Sequence, residues 1–170
     1  EKLHGMDLPT NVYPLFAQAL RKEEKKTAAT HLGECSTLFS EFSKIASKNP
    51  YSWFPSYRSA TEIAEETSNN RMVGFPYTKY LNSVIRVNMA SAFILMSQCK
   101  ADELNVEESK RVYVHGCSIL NDIWNVTERP DFHSSPAIKT CVNQSLDQAE
   151  ISLSDIKHFD LYSCFPSAVQ

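Results

Sequence analysis

The chain has 170 residues, a net charge of −3 and a pI near 6.0, with 42% hydrophobic and 22% charged residues. That composition fits a soluble globular domain or part of a larger one. It leaves no basic footprint for nucleic acid or an anionic membrane, and no apolar run approaches the roughly 20 residues of a membrane-spanning helix. The five cysteines, Cys35, Cys99, Cys117, Cys141 and Cys164, are odd in number and never in CxxC spacing. They argue against a disulfide framework and a structural zinc site, and fit a reducing compartment. The chain opens at "EKLHGMDLP" with no initiator Met and no signal peptide in view, and reads as a fragment or a processed piece.

The first periodic stretch is "NVYPLFAQAL", where Val12, Leu15, Phe16, Ala19 and Leu20 share one face of a helix. "RKEEKK" (Arg21–Lys26) mixes its signs and reads as a solvated helix end. A second helix follows in "THLGECSTLFSEFSKIASKNP", its stripe made by Leu32, Cys35, Phe39, Phe42 and Ile45 and its end set by Asn49-Pro50. "YSWFPSYR" has the composition of a loop. "SATE" (Ser59–Glu62) matches a capping box and predicts a short helix, stopped by Ser68-Asn69-Asn70. "RMVGFPY" (Arg71–Tyr77) reads as irregular because Gly74 and Pro76 both break regular structure. Residues 1–77 are therefore expected to be helices and loops without a convincing strand.

The pattern then changes. "ASAFILMS" is a continuous apolar run, as for a strand buried on both faces. "RVYVHGCSI" (Arg111–Ile119) is β-rich and predicts a second strand. In "HSSPAIKTCVNQSLDQA", Ser135 can cap a helix and Pro136 can occupy its first position. Ile138, Cys141, Val142, Ser145 and Ala149 would form one face of that helix. "IKHFDLY" predicts a third strand. Residues 111–170 thus read as a βαβ unit with a right-handed crossover followed by a helix start.

The candidate site is the corner "DLYSCFPSAV" (Asp160–Val169). In open α/β sheets ligands bind beyond the carboxyl ends of strands, beside helix N-termini. Tyr162, Ser163 and Cys164 occupy that place, and Pro166 suits a first helical turn. Free N–H groups there would favour negative charge, as on an oxyanion or a thiolate. A buried small Cys and a capping Ser are equally compatible with the same letters. No GxSxG elbow accompanies them. His31, His115, His133 and His158 are scattered without metal-ligand spacing, and His4 lies near the chain start. Each reads as structural or exposed, and no metal site is expected.

These residues resemble the thiolase superfamily. "DIKHFDLYSCFPSAVQ" (Asp155–Gln170) is similar to the C-terminal-half box loop, where many thiolases carry Asn-Glu-Ala-Phe and the sterol-carrier type His-Asp-Cys-Phe. Here the box reads Tyr162-Ser163-Cys164-Phe165. "NSVIRVNMASAFI" (Asn82–Ile94) aligns without gaps to the segment Asn-Ala-Ser-Gly-Ile-Asn-Asp-Gly-Ala-Ala-Ala. "NRMVGFPYTKYLN" (Asn70–Asn82), "NVYPLFAQAL", "RSATEIA" and "HSSPAI" are similar to the acetyl-CoA acetyltransferase or thiolase-like type 1 group. The ordered set covers most of the chain.

The resemblance implies an α/β, thiolase-like fold of two βαβαβαββ halves with a loop domain inserted in the first. Residues 1–77 would be a helical loop-domain portion, 78–100 the last-strand region of the N-terminal half, and 101–170 the opening βαβ of the C-terminal half. It implies an acyltransferase whose nucleophilic Cys, and whose acid and base, lie outside these residues, so that the chain alone is inactive. Coenzyme A or acyl-CoA would be a substrate, and no cofactor would be permanently bound. Tyr162 would face the acyl oxygen or a catalytic water. Ser163, Cys164 and Phe165 would complete the active-site loop, with Cys164 structural. Phe75, Asn82 and Val84 would fall along the coenzyme A path. The partners implied are acyl-CoA, the remaining halves of the fold and a homo-oligomer of the full-length protein, in an intracellular, cytoplasmic setting with peroxisome or mitochondrion open. Three departures, Tyr162 for Asn or His, Val84 for Ser and Asn88-Met89 for Asp-Gly, bear on catalysis. They keep open a second reading, a thiolase-fold subunit that binds or assembles without turnover.

Overall fold

The computed structural model describes residues 1–170. The α-helices are α1 (Pro9–Glu23), α2 (Ala28–Ala46), α3 (Ala60–Ala64), α4 (Gln98–Glu103) and α5 (Pro136–Ala149). One antiparallel pair, β1 (Met72–Gly74) with β2 (Tyr77–Thr78), makes the sheet. Short 3-10 turns include Lys79–Leu81 and Pro166–Ala168. The chain forms two compact units. One holds Glu1–Ile85, Asn121–Pro136 and His158–Gln170; the other holds Arg86–Leu120 and Ala137–Lys157.

The first unit contains the well-packed core, built from Ala17, Cys35, Ile63, Tyr77, Leu81 and Phe165. Helix α1 starts at Pro9, whose missing N–H costs nothing at the first position. Its buried face runs through Tyr13 and Ala17, turned from the expected stripe, and Leu15 stands in solvent. Pro14 inside α1 removes the amide that would bond the Thr10 carbonyl. The backbone of Gly74 approaches that freed oxygen: a Cβ on Gly74 would lie 2.6 Å from it and 3.2 Å from Pro14 Cγ.

Helix α2 begins at Thr27, whose hydroxyl accepts from Thr30 N at 3.1 Å. Its fully buried positions are His31, Cys35, Ser36 and Ser40, while Phe42 and Ile45 are exposed. The expected stripe is therefore rotated, with Leu32 and Phe39 only packed along its flank. Small residues face inward because neighbouring backbone comes close. Ser40 and Ser43 both donate to the Arg58 carbonyl, at 2.8 and 3.2 Å.

The capping box at α3 forms as read: Ser59 N donates to Glu62 Oε2 at 2.8 Å and Glu62 N to Ser59 Oγ at 3.2 Å. The segment expected to be irregular, Arg71–Tyr77, is a hairpin. Gly74 and Pro76 fall where the pairing register breaks, between Met72 and Gly74, and the Phe75–Pro76 peptide is cis. Buried Asn70 organises this region. Its amide donates to the carbonyls of Glu62, Ile63 and Glu65 at 3.0, 3.0 and 2.8 Å, and its oxygen accepts from Tyr80 N at 2.9 Å. Residues 121–136 dock on α1, where Phe132 meets the edge of Phe16 at 5.8 Å and Arg129 lies over the same ring.

In the second unit, Ser97 caps α4, and Arg111 clasps the Val106 carbonyl at 3.0 and 2.6 Å while pairing with Asp102. Helix α5 starts at Pro136 as expected. It lies against residues 116–118: Cys117 N donates to Gln148 Oε1 at 3.0 Å, and Ser118 Oγ to Gln144 Oε1 at 2.6 Å. Gly116 is needed there because a Cβ would collide with the Ser145 carbonyl. No residue of α5 is buried, so its expected apolar face is unfilled.

The three strands expected at 90–97, 111–119 and 156–162 carry no ladder. The run expected to be buried is open, with Phe93, Ile94 and Leu95 at 88%, 83% and 80% exposure. Apolar, β-branched letters give such segments a preference for the extended form, but a strand needs a neighbour to bond. The class stays α/β, with helices and a small sheet. No helix is long and apolar enough to cross a membrane.

Candidate active-site corner

The box at residues 162–165 belongs to the first unit and is built around Phe165, which is 3% exposed. Tyr13 of α1 stacks on its ring at 4.3 Å and 13°, and Tyr77 of β2 approaches at 5.8 Å. Pro166 then opens a single 3-10 turn. The expectation of free N–H groups beneath this corner needs correction. Ser167 N donates to Tyr77 Oη at 3.3 Å, and Ala168 N to the Phe165 carbonyl at 3.1 Å. One turn of helix, with those amides engaged, is not an anion cradle. Burial pushes the Tyr77 hydroxyl up to about 12, so it stays neutral.

With Phe165 held down, Tyr162 is thrown outward and is 88% exposed. The Cys164 thiol donates to Tyr162 Oη at 3.2 Å. When that sulfur is ionised the phenol donates to it instead, and this hydrogen bond, with the sulfur's charge next, holds the Tyr162 hydroxyl above the ordinary phenol range. Ser163 donates to the Phe165 carbonyl at 2.7 Å and so braces the loop. Cys164 is half-buried and packs against the core cluster.

The structure brings a second predicted segment to this corner. Ser83 N donates to the Cys164 carbonyl at 3.1 Å, which ties the Asn82–Val84 turn to the box. Asn82 donates to the Thr78 carbonyl at 2.6 Å, and its buried Oδ1 has no partner. Val84 is 52% exposed. Phe75 stands exposed at the hairpin tip, two residues before Tyr77, which reaches Phe165. Thus Tyr162, Ser163, Cys164, Phe165, Asn82 and Val84 share one neighbourhood, and Phe75 is linked to it through its hairpin.

Sequence reading missed Tyr13, Tyr77 and Asn70. Tyr13 lies one turn before Ala17, and that i, i+4 spacing was the available signal. Asn70 reads from the sequence as a helix stop and as the start of a thiolase-like segment, with nothing to mark its side chain as an organiser. All five cysteines are free thiols, with burial pushing Cys35 up to about 11. No group of three or more His, Cys, Asp or Glu residues is placed to hold a metal ion.

The thiolase-like relationship expected from the motifs is borne out by a solved structure. Over 99% of its length the chain matches the crystal structure of a monomeric SCP2-thiolase like protein type 1 from Mycobacterium smegmatis, with a TM-score of 0.84 and 34% sequence identity. It spans 37% of that solved chain. No family model and no curated protein matches the sequence.

Proposed function

We propose that these residues are part of a thiolase-like acyl-CoA acyltransferase of the acetyl-CoA acetyltransferase type. Residues 1–77 supply loop domain, 78–100 the last-strand region of the N-terminal half, and 101–170 the start of the C-terminal half. The nucleophilic cysteine lies elsewhere in the parent protein. Its thiol loses a proton and attacks the acyl carbonyl; the coenzyme A sulfur leaves and takes up a proton as the free thiol. Tyr162 donates its hydroxyl hydrogen to the acyl oxygen or to a water as negative charge develops there. The observation that carries this reading is the Ser83–Cys164 hydrogen bond, which joins two separately recognised segments at one corner, with Tyr162 open to solvent beside them. Phe75, Asn82 and Val84 then flank the path of the pantetheine arm. Coenzyme A enters as substrate and nothing is permanently bound.

A second reading has its own support. The Tyr162 hydroxyl is already engaged by Cys164, and a phenol replaces the amide or imidazole of the relatives' box. A subunit that binds acyl-CoA or assembles without turnover would tolerate that change. Mass spectrometry of the full-length protein mixed with acetyl-CoA separates the two. The transferase reading requires a mass increase of one acetyl group on a cysteine outside these residues, and its absence favours the binding subunit. The 170-residue chain alone should show no adduct. A stable acetyl thioester on Cys164 would overturn the structural role given to that residue.

A further inference from the structure

Outside the box, the first unit buries a histidine that the proposed function does not use. His31 is 0% exposed, and neither Nδ1 nor Nε2 has a hydrogen-bond partner. It sits in the first turn of α2, where its own amide bonds to Thr27 O. One turn further along the same face is Cys35, which shares the core cluster with Phe165. The segment 166–168 packs on α1. Through Cys35 and Phe165, the face of α2 that carries His31 shares its core with the residue leading into that segment.

We propose that His31 is a proton-sensitive latch: its protonation in acid loosens the inner face of α2 and frees the Phe165–Gln170 segment. A charged imidazolium would need partners for two N–H donors, and the site supplies none. It would also put positive charge in the first turn of a helix, where the dipole opposes it. The charges around it are mixed. Burial is the largest influence and keeps the ring neutral; Glu24 and Glu34 favour the proton, and Lys26 and Arg21 oppose it. Lys26 is itself bridged to Glu24 and Glu34 at 3.0 and 2.6 Å, which weakens their pull. The other elements packed on α2 are α3 and the turn Lys79–Leu81, and they carry Glu62, engaged in its capping box, and Lys79. The C-terminal turn Pro166–Ala168 carries no charged side chain.

The sign follows. The folded-state proton affinity of His31 lies below its ordinary value of 6.5. Its contribution is fully present above that pH and is lost as pH falls from there through the lower folded value. Two measurements on the full-length protein test the latch. The first follows the His31 ring by NMR during acidification; a ring that titrates at the ordinary value while the chain stays folded overturns the proposal. The second follows amide exchange of Ser167–Val169, relative to intrinsic rates, in the wild type and in His31→Phe and His31→Gln. The wild type should open up to about tenfold more per pH unit within the window, and the variants should not. His31→Gln keeps a polar side chain should the phenylalanine not pack. Equal acid sensitivity in wild type and a folded variant refutes the latch.

Discussion

The ring of Tyr13 lies flat on the ring of Phe165, centroids 4.3 Å apart and planes 13° from parallel. This stack joins the first long helix to the box near the end of the chain. Phe165 is buried beneath Tyr13 and beside Tyr77, while Tyr162, three residues earlier, points outward. Phe165→Ala should lower unfolding free energy by about 3 kcal/mol in urea titrations, because it removes a buried ring and leaves a cavity. An unchanged midpoint would mean that the stack holds nothing down.

Asn70 makes four hydrogen bonds from a position 1% exposed. Asn70→Ala strands the Glu62 and Glu65 carbonyls and the Tyr80 amide, while the Ile63 carbonyl keeps the Thr78 hydroxyl at 2.7 Å. The expected cost is about 3 kcal/mol, and Asn70→Asp should also be harmful because a carboxylate cannot donate to the carbonyls. Chemical denaturation of both variants checks this. Tolerance of Asp would mean that the donor side of Asn70 is unimportant.

Gly74 faces the Thr10 carbonyl that Pro14 leaves unbonded. A methyl group there must push α1 and the hairpin apart. Gly74→Ala should cost about 1–3 kcal/mol and raise proteolytic cleavage around the hairpin. Neither Gly5 nor Gly33 has an atom within 4 Å of an added Cβ. Gly33→Ala, inside α2, is the matched control and should be neutral or slightly stabilising.

The Cys164–Tyr162 contact gives a spectroscopic prediction. In Cys164→Ala, the Tyr162 phenol should ionise at lower pH than in the wild type, moving toward its ordinary value of 10.0. Difference absorbance of the tyrosinate band, with Tyr162→Phe to assign the step, measures it. A titration that does not move would show that the sulfur does not reach the phenol in solution.

Several local features were legible because they depend on neighbours in sequence. Ser59 and Glu62 close their own capping box, and Pro136 and Pro166 open helical turns whatever lies around them. The box letters singled out the corner at Tyr162–Phe165, but the burial of Phe165 and the exposure of Tyr162 came only with the packing. The buried stripe of α2 was not legible: His31, Ser36 and Ser40 face inward on a helix against which α3, the Arg58 backbone and the turn Lys79–Leu81 pack. The hairpin was hidden because Gly74 and Pro76 normally end strands, and here they sit at a break in the pairing register.

The apolar runs at 90–97 and 111–119 mark the limit from the other side. Their letters carry a β preference, yet these residues form no ladder, because a hydrogen-bonded strand requires a partner as well as a propensity. By itself, then, the sequence determined helix ends, caps and the order of the thiolase-like segments, all short-range properties of the chain. Tertiary structure alone decided that Tyr13 and Tyr77 would clasp Phe165, that Ser83 would bond the box, and that His31 would be sealed without a partner. Each of those outcomes joins residues far apart in sequence, and only close packing of backbone against backbone selects them.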